Sequence, residues 1–270
     1  ENMIAEGYTG RKGKGGFYRL NRSGGEKIKE ALDLSSGEYH AAYKPALESV
    51  EAARGGLRAL VEHPDHGGRY AWRVLSHTLS YAAALVPEIA DDIHAVDEAM
   101  KNGYAWKWGP FELIDKLGAR WFAERLAAEG MAVPPLLEKV GDDSFYRTQD
   151  GRLQYFGTDG TYHNVERAEG VMLLSDIKRS SERVAGNASA SLWDIGDKVL
   201  CLEFHSKMNA VDEGIMMMAA NALKMIPAQG YEALVIHNEG TNFSVGANVG
   251  LVLFAANIAA WPKITESVKQ

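Results

Sequence analysis

Cysteine is nearly absent: Cys201 stands alone in 270 residues, so neither an intrachain disulfide nor a cysteine-built zinc site can form, which fits a reducing cytoplasm. Long apolar runs are missing as well. The longest, 82–86 and 250–256, fall far short of the ~20 residues that a membrane span needs, and no signal-peptide pattern opens the chain. Positive charge is in deficit: 29 Lys and Arg face 36 Asp and Glu, for a net charge of −7. That balance argues against phosphate backbones and anionic lipid surfaces, so neither nucleic acid nor a membrane is an expected partner. Metal-ligand patterns are lacking too. Of the eight histidines only His63 and His66 lie close together, and Pro64-Asp65 between them reads as a polar turn, so no metal site is expected.

What is present is ordinary for a folded chain. Hydrophobic residues make up 46% and charged ones 24%, enough to bury a sizeable core, and the length favours more than one domain. The first residues, Glu1-Asn2-Met3, and the last, Thr265 to Gln270, do not resemble natural ends, and an excised piece of a longer protein is expected. Residues 1–30 run against the acidic total, with seven Lys or Arg against four Glu. Their glycine-bearing stretch Gly10-Arg11-Lys12-Gly13-Lys14-Gly15-Gly16-Phe17-Tyr18 fits neither the Walker spacing nor the dinucleotide fingerprint. It is read as a turn packed by Phe17 and Tyr18.

Apolar residues then recur at helical steps. Trp72, Leu75, Leu79, Ala82 or Ala83 and Val86 mark one buried face, and Ile93, Val96 and Met100 a second, after the acidic pair Asp91-Asp92. Gly109-Pro110 opens a third helix with Phe111, Ile114 and Leu117 inward and Gly118 as its stop, and Trp121, Phe122 and Leu126 form a fourth before Gly130. Residues 46–130 therefore read as a helical domain. Between 144 and 165 three aromatic segments separated by Asp150-Gly151 and Asp159-Gly160 predict a β meander, read as a stabilising insertion. Residues 180–191, small and polar, read as a linker or exposed loop.

Beyond it, Lys198–Phe204 reads as a strand, Val211–Ile226 as a helix with Ile215, Met218, Ala222 and Ile226 on one face, and Ala233–His237 as a short buried strand. This β-α-β unit predicts parallel strands with a ligand site beyond their carboxyl ends, where residues 238–248 form a polar, glycine-bearing loop before a helical pattern over 249–260. Loop and helix N-terminus together suit an anion or oxyanion. Ser244 lacks the glycine two residues before it that a nucleophile elbow requires. His205 reads as a hydrogen-bonded edge histidine, and Met216-Met217-Met218 as core filler. The fold class expected is α+β, mostly α.

Two stretches carry a family resemblance. Residues 92–103, Asp-Ile-His-Ala-Val-Asp-Glu-Ala-Met-Lys-Asn-Gly, and 108–118, Trp-Gly-Pro-Phe-Glu-Leu-Ile-Asp-Lys-Leu-Gly, resemble the C-terminal helical domain of 3-hydroxyacyl-CoA dehydrogenases. Gly10-Arg11-Lys12 through Tyr18 resembles the close of an earlier copy of that domain. Lys207-Met208-Asn209-Ala210 and Asn242-Phe243-Ser244-Val245-Gly246-Ala247-Asn248 are similar to the first-helix and oxyanion-loop motifs of crotonases, the enoyl-CoA hydratase and isomerase fold. The resemblance implies four parts: the end of a first dehydrogenase C-terminal domain over 1–45, a second such helical domain over 46–140, meander and linker over 141–191, and the first half of a crotonase over 192–270.

What it implies chemically is a parent protein of fatty-acid β-oxidation that joins an NAD-dependent dehydrogenase to a hydratase, with acyl-CoA as substrate. The Ala247 N–H would be one oxyanion donor, and Lys207, Ala210 and Gly246 would lie along the CoA thioester, Lys207 as a phosphate contact. Asn248 stands where simple hydratases carry Asp. The dinucleotide fold and the His-Glu pair of the dehydrogenase are not in the sequence, nor are the second oxyanion donor and the carboxylate acid/base of the hydratase. The fragment is thus expected to bind no NAD and to be inactive alone. Trp106-Lys107-Trp108 departs from the family's smaller, proline-containing stretch, which suits an architectural repeat. The alternatives are a helical scaffold that forms a homodimer, or an acyl-CoA-binding module.

Overall fold

The computed structural model describes every residue except 24, 241, 248, 263 and 266–270, and every remaining side chain except that of Leu251. Helix accounts for 43% of the chain and strand for 17%, so the α+β, mostly helical expectation agrees with the structure. The chain divides into two units, Glu1–Leu75 and Ser76–Gln270. No described helix is long and apolar enough to cross a membrane.

The first unit opens with α1 (Asn2–Ala5) and a three-stranded antiparallel sheet, β1 (Tyr18–Asn21), β2 (Ile28–Leu32) and β3 (Tyr39–Ala41), in that order. The glycine-bearing stretch is a turn, closed by a Gly10–Gly15 bridge. Phe17 and Tyr18 do not pack it, being 62% and 60% exposed, because a sheet this small has no second layer to bury them. After β3 come α2 (Glu48–Ala52), α3 (Leu57–Glu62) and the first half of α4 (His66–Ala84), a helix that continues past Leu75 into the second unit. Asp65 ties their ends together: its carboxylate accepts from Ser49 N at 3.0 Å and Gly68 N at 2.8 Å. Trp72, Leu79 and Ala83 of α4 are buried, as the periodicity requires.

In the second unit the predicted helices form with their predicted caps. Asp92 accepts from Ala95 N at 2.8 Å and starts α5 (Ile93–Tyr104). Pro110 takes the first position of α6 (Pro110–Leu117), where no partner for its missing N–H is needed. Then follow α7 (Ala119–Ala128) and α8 (Pro135–Val140). Ile93, Phe111, Ile114, Leu117, Phe122, Leu126, Leu137 and Phe145 are buried, each such side chain contributing about 1.5–3 kcal/mol of transfer free energy. The meander is present as β4 (Tyr146–Gln149), β5 (Arg152–Phe156) and β6 (Tyr162–Asn164), an antiparallel sheet in chain order.

Residues 180–191 are not a linker. After α9 (Leu174–Ser180) the chain forms β7 (Ala185–Gly186), which pairs antiparallel with β8 (Ala190–Asp194). Asn187 makes this tight corner: its side-chain oxygen accepts from Ser189 N and Ala190 N, and its amide donates to Gly214 O at 2.7 Å. Small polar residues here build a turn and a close-packed strand start, with Ala190 and Ser191 buried. β8 pairs antiparallel with β9 (Val199–Phe204), and β10 (Ala233–Ile236) pairs parallel with β9, giving the order β10-β9-β8-β7. α10 (Glu213–Gln229) joins β9 to β10, and α11 (Val249–Asn257) follows.

α10 packs Ile215, Met218 and Ala222 on Ala190, Leu192 and Leu202. Of the methionine run only Met218 is core; Met217 is 63% exposed, since consecutive helical residues lie 100° apart and cannot share a face. β10 is not a buried strand either. It is the sheet's edge, with Val235 and Ile236 exposed.

Candidate functional site

The parallel pair β9 and β10 brings its two following loops together. The chain leaves β9 through a 3-10 turn, Lys207–Asn209, in which Met208 and Asn209 are both left-handed, φ 58° and 53°. The hydroxyl of Ser206 donates to Ala210 O at 2.7 Å and holds the turn. Asp212 then caps α10, accepting from Ile215 N at 3.0 Å, and takes a hydrogen bond from Ser189 Oγ at 2.7 Å.

From the other side, residues after β10 lean on this turn. Asn238 bridges the strands' ends, accepting from Phe204 N at 2.7 Å and donating to Phe243 O at 2.6 Å. Asn209 Nδ2 donates to Asn242 O at 2.9 Å, and Ser244 Oγ donates back to Asn209 O at 2.7 Å while accepting from Gly246 N at 3.0 Å. The hydroxyl of Ser244 is thus committed to main-chain atoms. Gly246, at φ +85°, supplies a conformation that other residues resist, and its carbonyl accepts from Val211 N at 2.8 Å.

This last bond orients the next donor. In a trans peptide the N–H points opposite to the C=O, so with Gly246 C=O directed at Val211, the Ala247 N–H is directed away from it. The segments carrying Lys207, Ala210, Gly246 and Ala247 therefore meet at the carboxyl ends of parallel strands. Lys207, Gly246 and Ala247 are exposed and Ala210 is half-buried. Asn248, singled out from the sequence, lies outside the described residues, as does Thr241 of the same loop. His205 is hydrogen-bonded as expected, with Ser191 Oγ 3.0 Å from its Nε2, but it follows β9, an inner strand of the sheet and not an edge.

A second polar centre, in the helical part, escaped the sequence reading. Asp97 is fully buried on α5, and its carboxylate accepts from Phe111 N at 2.9 Å and Glu112 N at 3.1 Å, the free donors at the start of α6. Burial pushes its pKa up to about 7 against the pull of those two donors. Gly109 is required beside it, since a Cβ there would collide with the carboxylate. Glu112 closes the same cap by accepting from Gly109 N at 2.8 Å, and it also pairs with Lys101 at 2.9 Å. Asp115 repeats the device for the meander, accepting from Phe145 N and Tyr146 N at 2.7 and 2.8 Å, and burial pushes its pKa up to about 6. Asp97 falls on the inner side of α5 between Ile93 and Met100, and an acid at such a position was the one available signal.

Comparison with known proteins bears on this helical part. Residues 68–155 match the 3-hydroxyacyl-CoA dehydrogenase C-terminal domain. The dehydrogenase C-terminal domain match contains both stretches that carried the resemblance, and with them Asp97, Asp115 and the α5–α6 cap. It runs on through β4 into β5, so the first hairpin of the meander is part of the matched dehydrogenase domain and not an insertion into it. Among relatives, a Bacillus subtilis protein named "Probable 3-hydroxyacyl-CoA dehydrogenase" is 38% identical over 260 residues, covering 93% of this chain and 32% of the relative. Proteins of Rickettsia felis and Rickettsia prowazekii, provisionally named fatty acid oxidation complex trifunctional enzymes, are 30% and 29% identical, over 94% of this chain and 32% of theirs. The chain spans about a third of the length of the curated relatives it matches. No solved structure matches it.

Proposed function

We propose that this chain is part of an NAD-dependent 3-hydroxyacyl-CoA dehydrogenase joined to an enoyl-CoA hydratase, and that residues 207–247 supply the thioester-oxygen end of the hydratase site. The observation that supports the reading is the Gly246–Val211 hydrogen bond beside the Lys207–Ala210 turn, which directs the Ala247 N–H away from Val211. A backbone donor fixed before the reaction stabilises the oxygen on which charge develops, at no reorganisation cost, by about 3 kcal/mol. Lys207 suits a CoA phosphate as a point charge. The relatives' names supply the dehydrogenase and the fatty-acid context. The cofactor would be NAD, held by a part of the protein outside this chain.

A conjugated aromatic enoyl-CoA tests the site, because polarising its carbonyl shifts its absorption to the red. The chain is expected to shift the band while hydrating neither this compound nor crotonyl-CoA, and to oxidise no NADH with acetoacetyl-CoA. Ala247→Pro removes the donor and is expected to abolish the shift, and Lys207→Ala to weaken binding several-fold. A shift that survives Ala247→Pro, or turnover by the chain alone, would contradict the assignment. The exposed stripe Tyr70, Val74 and Tyr81 on α4 favours a second role, a homodimer through the helical part. Light scattering over a dilution series is expected to show mass falling from dimer towards monomer, and a constant monomer mass would exclude it.

A further inference from the structure

The most strongly charged surface lies far in sequence from the thioester site and has no part in the reading above. Residues 7–25 contain Arg11, Lys12, Lys14, Arg19 and Arg22 and no carboxylate, so this short stretch carries +5 while the rest of the chain carries −12. Its tip is a closed turn. Gly10 N donates to Gly15 O at 2.7 Å, Gly13 N to Gly10 O at 3.0 Å and Lys14 N to Gly7 O at 3.0 Å. A Cβ at Gly13 would press on Thr9 and on the Gly7 carbonyl, so the turn closes only around glycine there. Tyr39 braces the base by donating to Gly16 O at 2.5 Å and stacking on Tyr8.

The carboxylate that faces β1 of this ribbon is occupied. Glu30 pairs with Arg19 at 2.6 Å and accepts from Asn21 at 2.9 Å. Arg11, Lys12 and Lys14 are exposed and form no ion pair among the described residues. Next to them two aromatic rings lie open, Phe17 and Tyr18, with Lys29 Nζ 4.6 Å from the centre of the Tyr18 ring. Three free cations within four residues of a fixed turn, beside open ring faces, provide one surface for phosphate groups and another for a planar base.

We infer that the Gly10–Gly15 turn with Phe17, Tyr18 and Lys29 is a binding site for a small nucleotide bearing two or more phosphates. Arg11, Lys12 and Lys14 take the phosphates, and the Tyr18 face takes the base. A long polyanion is disfavoured because the free cations of the turn are confined to the four positions Arg11 to Lys14, which a run of phosphates would outreach. A nucleotide stays within the basic stretch. The inference does not rest on the hydratase reading, since none of its residues belongs to 207–247.

Calorimetric titration of the 270-residue chain with adenosine 3′,5′-bisphosphate and, separately, inorganic pyrophosphate tests it. Saturable one-to-one binding is expected, weakening at least tenfold between about 50 and 200 mM salt. The combined change Arg11→Ser, Lys12→Ser and Lys14→Ser, confined to the exposed turn, is expected to cost at least tenfold for both ligands with an unchanged circular dichroism spectrum. Tyr18→Ala is expected to weaken the bisphosphate alone and leave pyrophosphate as it was. Repeating the titrations in the Lys207→Ala background, which lacks the phosphate contact assigned to the thioester site, is expected to leave the one-to-one binding in place and so separates the two sites. Absence of saturable heat at millimolar ligand, full binding by the triple variant, or an equal effect of Tyr18→Ala on both ligands would overturn the inference. So would a single-stranded oligonucleotide binding more tightly through the same residues, which would make the surface a nucleic-acid interface.

Discussion

Phe111→Ala is expected to lower the unfolding free energy of the 76–270 unit by about 4 kcal/mol. The ring is fully buried at the first turn of α6 and meets the Phe145 ring edge-on, 5.0 Å between centres. Phe145 in turn meets Phe156 at 6.4 Å, and Phe156 meets Tyr162 at 5.3 Å, both edge-on. The four rings thus couple the helices to the meander, and removing the first leaves a cavity that the stiff strands of the meander cannot collapse into. Such pairs add about 0.5–1.5 kcal/mol beyond the area they bury. Against a total of about 5–15 kcal/mol for a domain, a loss of this size is visible both in the denaturant midpoint and as a melting temperature lower by roughly 10 °C. Phe111→Leu, which keeps most of the volume, is expected to cost less than half as much. A loss below about 1 kcal/mol for Phe111→Ala would show that the ring chain does not hold the meander.

That part of the molecule was legible because every local signal agreed. Asp92 before an apolar period, Pro110 at a first helical position and Gly118 after the last inward residue each have a single good structural solution, and the structure adopts it. The β4–β5–β6 turns were equally plain from their Asp-Gly pairs. Residues 180–191 failed for the opposite reason: their conformation is set by Asn187 reaching Gly214, a bond across 27 positions that composition does not reveal. β10 was read as buried because its Ala-Leu-Val-Ile run resembles an inner strand, and edge position is a property of the sheet rather than of the run. The β1–β2–β3 sheet runs against the usual apolar-in pattern, since β1 exposes Tyr18 and Leu20 while half-burying Arg19 and Asn21, and β2 begins on an exposed Ile28. Of the candidate thioester site, the meeting of the two loops followed from parallel pairing. The hydrogen bonds of Asn209, Ser244 and Asn238 that fasten them did not, because each joins a side chain to a main-chain atom chosen only on folding.

Asp97 makes the stability of the same unit run against the usual direction with pH. In the unfolded chain its carboxyl ionises near 3.9, whereas in the fold burial holds it protonated up to about 7. Between these values the folded state keeps a proton that the unfolded state has released, so stability is fully present below about pH 4 and falls as pH rises towards 7. Asp115, pushed up to about 6 by burial, acts with the same sign over a shorter span. Asp159, drawn down to about 2 by His163 and Thr161, and Asp176, lowered by Arg167, act with the opposite sign, and their contribution is lost only as pH falls below about 4. Asp97 and Asp115 thus favour low pH, against His94, whose imidazole burial keeps neutral and whose contribution is lost as pH falls below about 6.5. For Asp97 alone a rise of this size corresponds to a loss on the order of 4 kcal/mol by pH 8. Asp97→Asn cannot ionise and retains an oxygen for one of the α6 donors, so its denaturant midpoint is expected to vary between pH 5 and 8 only by the parts due to Asp115, which lowers it as pH rises, and to His94, which raises it. The two curves should lie closest near pH 4 and separate towards pH 8, with the variant above. A wild-type midpoint that rises over this interval, or an Asp97→Asn curve parallel to it, would show that the two α6 N–H donors outweigh burial and keep Asp97 ionised.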